Sequence, residues 1–140
     1  MGGVFIPMVV RPTSELKFHH DIAPGVRYLA IDRSLYKDAP IYIAVRRVRN
    51  VEQNQAEYVD SHVHSVDSLY LFIGDEDELK GLHAVMRIED QEREIESPMT
   101  VFIPKGLRHS YKMTDGSGIY VSILLDGDYN RRTFEGRLGG

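Results

Sequence analysis

The sequence predicts a single all-β domain closed into a barrel or jelly roll. Three observations carry that expectation. Apolar residues recur with period two far more often than at helical spacing, the alternating runs are short, and Gly, Pro, Asp and Asn punctuate them throughout. A length of 140 residues is common for one domain and buries a continuous core, so residues 1–140 are read as one unit.

Taken in order, the first run is Val4–Val10, interrupted by Pro7. It is too short to span a bilayer and lacks the basic start of a secretory signal. No membrane association is expected, and the cytoplasm is the simplest compartment. Val26–Ile31 follows, then Asp32–Asp38, where a helical turn fits, and then Ile41–Val48. Glu57–His64 and Ser68–Ile73 are the next strands, ended by an acidic turn across Gly74–Gly81. Leu82–Ile88 reverses at Glu89-Asp90-Gln91 into Arg93–Glu96, and Ser97-Pro98 reverses the chain again into Thr100–Ile103. His109–Met113 and Gly118–Leu125 complete the set, separated by a Gly-containing loop at Thr114–Gly118. The tail Gly127–Gly140 is polar, has no clear periodicity and carries no recognisable site.

Composition removes whole classes of function. There is no cysteine, so disulfides, thiolate ligands and cysteine nucleophiles are excluded, and any metal must rest on His, carboxylate or water. The net charge is −4, and the basic residues are scattered apart from Arg46, Arg47, Arg49 and the pair Arg131, Arg132. Nucleic acid is not an expected partner, because phosphate binding needs a concentrated basic face.

The chemistry concentrates on histidine. In His62-Val63-His64, residues i and i+2 of an extended strand point to one face, so two imidazoles can converge on one ion. A second signal lies downstream in Pro104-Lys105-Gly106-Leu107-Arg108-His109, where Pro and Gly turn the chain sharply and deliver a third imidazole onto the next strand.

His62-x-His64, the turn glycine Gly74, and Pro104-x-Gly106-x-x-His109 resemble, in order and spacing, the two sequence motifs of the cupin superfamily. The resemblance covers roughly residues 55–125. It implies a double-stranded β-helix whose mouth holds a metal on two His and a Glu of the first motif and a His of the second. Carried over, His62, His64 and His109 are the ligands. At the Glu the chain departs from the pattern: Ser68 takes that position, with Asp67 beside it. Three outcomes stay open, namely a three-His site completed by water, an Asp67 ligand reached by a loop one residue shorter, or a degenerate site that binds metal weakly. The first is the expectation, Asp67 the second. Three neutral imidazoles suit Fe, Mn, Ni, Zn or Co, and affinity order does not select among them in a cell.

Further residues follow from strand period. Asp60 shares the His62 face and is a candidate to orient an imidazole. His19, His20 and His83 are read as structural or exposed. Tyr70 and Phe72, and likewise Tyr111 and Met113, are interior candidates, and the phenols of Tyr70 and Tyr111 are candidates to hydrogen-bond a substrate oxygen or act as an acid. Arg46 shares a face with Tyr42 and Ala44; turned inward it would clamp a carboxylate, although an outer, solvated position is the first expectation. Lys105 and Arg108 flank the second motif at the expected rim.

The leading expectation is a metal-dependent enzyme acting on a small polar molecule by dioxygenase, isomerase or lyase chemistry. A non-catalytic, small-molecule-binding or regulatory cupin is the alternative. By resemblance the chain is expected to form a homodimer, with Val4–Val10 a candidate for exchange between subunits.

Overall fold

The computed structural model describes residues 2–20, 25–51 and 60–135. Its strands are β1 (Val9–Val10), β2 (Val26–Ile31), β3 (Tyr42–Val51), β4 (Val63–His64), β5 (Ser68–Gly74), β6 (Leu82–Ile88), β7 (Gln91–Glu96), β8 (Met99–Ile103), β9 (His109–Leu124) and β10 (Thr133–Phe134). The main sheet runs β1-β2-β3-β9-β5-β8, while β6 pairs with both β7 and β9. Every pairing is antiparallel. A separate short ladder joins β10 to β4. The result is an all-β jelly-roll barrel, as the alternation and turn spacing require.

The period-two pattern decides which side chains face inward. On β5, Ser68, Tyr70 and Phe72 are buried and Leu69, Leu71 and Ile73 are half-buried. On β3 the buried face is Tyr42, Ala44, Arg46 and Val48. The core has two parts, one around Phe72, Met86, Ile103 and Met113, the other around Leu29, Tyr42, Leu124 and Tyr129.

Strand β9 differs from the sequence expectation of two strands and a loop. It runs unbroken through Thr114–Gly118 for 16 residues. Its first half pairs with β6, placing His109 opposite Ile88. Its second half pairs with β3 on one edge and β5 on the other, placing Ser122 between Ala44 and Tyr70. One strand therefore turns the corner between two walls. Gly116 makes this possible: its φ is +91°, and a Cβ there would overlap the Gly81 carbonyl oxygen. A residue type that reads as a loop in sequence is here a close approach between strands.

The N-terminal run is also shorter than expected. Only Val9 and Val10 pair, with Leu29 and Tyr28. Residues 4–8 lie outside any strand, with Phe5 94 % exposed, consistent with the missing donor of Pro7. At the other end of the pattern, residues 57–59 of the expected Glu57–His64 strand lie outside the described residues. The Asp32–Asp38 segment does make a helical turn, with Tyr36 N–H donating to the Asp32 carbonyl at 3.0 Å. Among the described residues no helix is long and apolar enough to cross a membrane.

Candidate metal centre

Backbone pairing brings the two histidine segments together. His62 N–H donates to the His109 carbonyl at 3.0 Å, and His109 N–H returns the bond to the His62 carbonyl at 2.9 Å. Gly106 N–H donates to the His64 carbonyl at 2.9 Å, from a turn that needs the Gly106 φ of +88°. The three imidazoles follow from this register. Their ring centroids stand 4.5 Å apart for His62 and His109, 4.8 Å for His62 and His64, and 4.8 Å for His64 and His109. One donor atom from each lies within 4.8 Å of the others, and all three residues are buried.

The outward ring nitrogens fix the tautomers. His62 Nδ1 meets the Asp60 carbonyl at 2.7 Å, and His109 Nδ1 meets the Leu107 carbonyl at 3.0 Å. Because a carbonyl only accepts, both Nδ1 atoms carry the proton. His64 Nδ1 meets Thr133 Oγ1 at 3.0 Å, and that hydroxyl already donates to the Tyr129 carbonyl at 2.6 Å. It therefore accepts from His64. Each Nε2 is left with a bare lone pair, the form in which imidazole ligates metal. His64 Nε2 is buried with no hydrogen-bond partner among the described residues. An orphaned buried acceptor costs about 1–3 kcal/mol; an ion bound there would remove the penalty. The donor set fits a divalent cation.

Electrostatics agree. Burial lowers the His109 pKa to about 4 and the His64 pKa to about 2, with the neighbouring His109 adding to the effect on His64. Burial, and then His109, hold His62 well below its usual value. The cluster resists protonation and stays in the ligating state.

The remaining sequence candidates fall as follows. Asp67 is not among the gathered donor atoms; its carboxylate accepts from Lys105 N–H at 2.9 Å and so pins the turn of the second motif. Ser68 has its hydroxyl buried without a partner among the described residues. Asp60 acts on His62 through its carbonyl, while its carboxylate meets His20 Nε2 at 3.1 Å. Tyr70 Oη lies 3.4 Å from His109 Nε2, and Tyr111 packs on Tyr70 with centroids 4.8 Å apart. Burial raises the pKa of both phenols well above the usual value. Arg46, first expected on the outer surface, is buried on the inner face of β3, where it bonds Thr13 Oγ1 and the Gly25 carbonyl. It lines a cavity of about 20 Å³ with Arg27, Tyr42, Tyr111 and Tyr129. Lys105 is exposed, whereas Arg108 ties the rim to the Ser61 and Glu135 carbonyls.

Three residues at this centre have no sequence signal. His19, read as structural or exposed, is buried with its ring 5.2 Å from that of His62, and burial lowers its pKa to about 4. Tyr129 and Thr133 come from the tail that carried no recognisable site. Tyr129 Oη lies 3.3 Å from both His19 Nε2 and His62 Nε2.

No protein-family model and no curated protein sequence matches the chain. Solved structures do. A Trp-to-Phe variant of oxalate decarboxylase from Bacillus subtilis aligns with a TM-score of 0.54 and 15 % identity over 95 % of this chain. The match covers 33 % of the oxalate decarboxylase chain, so this chain spans about a third of that neighbour's length. A Tyr-to-Phe variant of PAC13 from Streptomyces, solved with uridine, aligns with a TM-score of 0.62 and 7 % identity over 98 % of this chain and 93 % of its own. A protein from Planctomyces limnophilus aligns with a TM-score of 0.54 and 14 % identity over 96 % of each chain. Likeness at such identities concerns the fold alone, and what it shows is a jelly-roll β-barrel.

Proposed function

We propose that the chain is a metal-dependent enzyme of the cupin type, binding one divalent ion on His62, His64 and His109 and acting on a small polar metabolite. One observation carries the reading. Three Nε2 lone pairs converge in a buried site while each Nδ1 proton is committed elsewhere. The ion, whether Fe, Mn, Ni, Zn or Co, would act as a Lewis acid on a carbonyl, enol or carboxylate oxygen, or as an O2-binding centre. Three neutral ligands leave its full double charge in place.

The chain's own residues support such chemistry. Tyr70, held protonated by burial, sets a hydroxyl at the edge of the centre, suited to donate to a substrate oxygen and unsuited to act as a base. Arg46 and Tyr111 line the adjoining cavity, where the Arg46 guanidinium, held by Thr13 Oγ1 and the Gly25 carbonyl, sets a fixed positive charge beside the centre. Dioxygenase, isomerase and lyase chemistry all stay open to such a centre.

A non-catalytic, small-molecule-binding or regulatory role with weak or no metal is the second reading, and it draws on a different observation: Ser68 stands where the resemblance places a carboxylate ligand. We further infer a homodimer, supported by exposed Val4, Phe5, Met8 and Val10.

Elemental analysis of protein purified without added metal tests the reading. About one ion per chain is expected, and none in His109→Ala. A protein that emerges empty and takes up no divalent ion would sink the enzyme assignment.

A further inference from the structure

The hydrogen inventory around Tyr129 does not close with neutral imidazoles alone. Its hydroxyl has one proton and two imidazole neighbours, His19 Nε2 and His62 Nε2, each at 3.3 Å. His19 Nδ1 donates to the Lys17 carbonyl at 2.7 Å, so His19 Nε2 carries only a lone pair. His62 Nε2 is likewise bare, because its Nδ1 proton points to the Asp60 carbonyl. The phenol donates to one of the two. The other contact sets lone pair against lone pair at 3.3 Å in a buried site.

That contact is repulsive unless both lone pairs face a common positive charge. Two donors on one small divalent ion, each about 2.1 Å from it, stand roughly 3.0–3.4 Å apart. The separation of Tyr129 Oη from His62 Nε2 falls in that interval. Tyr70 Oη stands 3.4 Å from His109 Nε2, at the edge of the same interval, but Tyr129 is the phenol with a second imidazole, His19 Nε2, placed to take its proton and turn its lone pair toward the ion.

Resting on the three-histidine reading, we infer that Tyr129 Oη is the fourth protein donor to the metal, in the role left open by Ser68. Its proton is directed to His19 Nε2 and its lone pair to the ion. The ring is already held for this: it packs on His64 with centroids 5.2 Å apart and on Tyr42 at 4.8 Å. Its backbone is fixed by the Thr133 bond and by the Arg132–Asp126 ion pair at 2.8 Å. His19 is a positioning residue that aims the hydroxyl.

Tyr129→Phe removes the oxygen and keeps the ring, which makes it the direct test. Full-length wild type and variant are titrated with Co(II), reading affinity and the ligand-field spectrum. Binding at least about 10-fold weaker, with an altered spectrum, is expected for the variant. Equal affinity and an identical spectrum would overturn the Tyr129 assignment and leave the three histidines standing. A wild type that binds no Co(II) would overturn both. A second measurement needs only the wild type: loaded with Fe(III), it should show a visible phenolate-to-iron charge-transfer band, the phenol passing its proton to His19 Nε2 as the Fe–O bond forms. Absence of that band also overturns the assignment.

Discussion

At the scale of the residue, the centre depends on side chains that hold other side chains. Thr133 accepts from His64 and donates to the Tyr129 carbonyl, so it sets one tautomer and one loop at once. Thr133→Val keeps the shape and removes the hydroxyl acceptor of the His64 Nδ1 proton in a buried site, leaving it only the Arg132 backbone. A loss of about 1–3 kcal/mol in urea denaturation is expected, with metal affinity reduced about 10- to 100-fold in the same sample. Wild-type affinity in the variant would show that His64 needs no such partner. These contacts also mark the limit of what the sequence reveals. His62, His64 and His109 were legible because strand period and a Pro–Gly turn are local patterns. Thr133 and Tyr129 meet their histidines across 69 and 67 residues, and His19 meets Tyr129 across 110. No short-range pattern encodes such a meeting. Arg46 was placed correctly by face but not by depth, because alternation tells which side a residue takes and not whether that side is the core.

At the scale of the element, β9 organises the barrel. It carries His109 and Tyr111 on the half that faces β6, and Tyr120 and Ser122 on the half between β3 and β5. The sequence showed both halves and hid their continuity, since Gly116 and Gly118 imitate a loop. Gly116→Ala should lower stability by about 3 kcal/mol, because the methyl meets backbone that cannot move aside and φ is positive. The denaturation midpoint reports it directly. An unchanged midpoint would mean that β9 bends elsewhere.

For the whole molecule, burying four imidazoles ties stability to pH. An unfolded histidine titrates near 6.5, whereas His19 and His109 are lowered to about 4, His64 to about 2 and His62 well below its usual value. Below pH 6.5 the unfolded chain therefore binds more protons than the folded one. The stability is fully present above that pH and drains away as pH falls toward 4, by about 1.4 kcal/mol per pH unit for each imidazole. Metal-free protein should show a steep fall in urea midpoint between pH 6.5 and 5, and a midpoint that stays level would contradict the burial of the cluster. The exposed N-terminal run makes a separate prediction for assembly. Removing residues 2–8 should convert the proposed dimer to a monomer in light scattering while the barrel melts unchanged; a full-length chain that is already monomeric would overturn the dimer, and a dimer that persists would place the interface elsewhere.

The pairing of β10 with β4 also bears on how the protein is made. A ribosome delivers the N-terminal part of a chain first, so His62, His64 and His109 are all synthesised before residues 129–134 exist. Until that segment lays Thr133 beside His64 and Tyr129 beside His62, the histidines lack the contacts that orient them. On the proposed function, loading with metal is thus a late event in the life of each molecule, and a translation product halted at residue 128 is expected to carry every histidine of the centre and still hold the ion weakly.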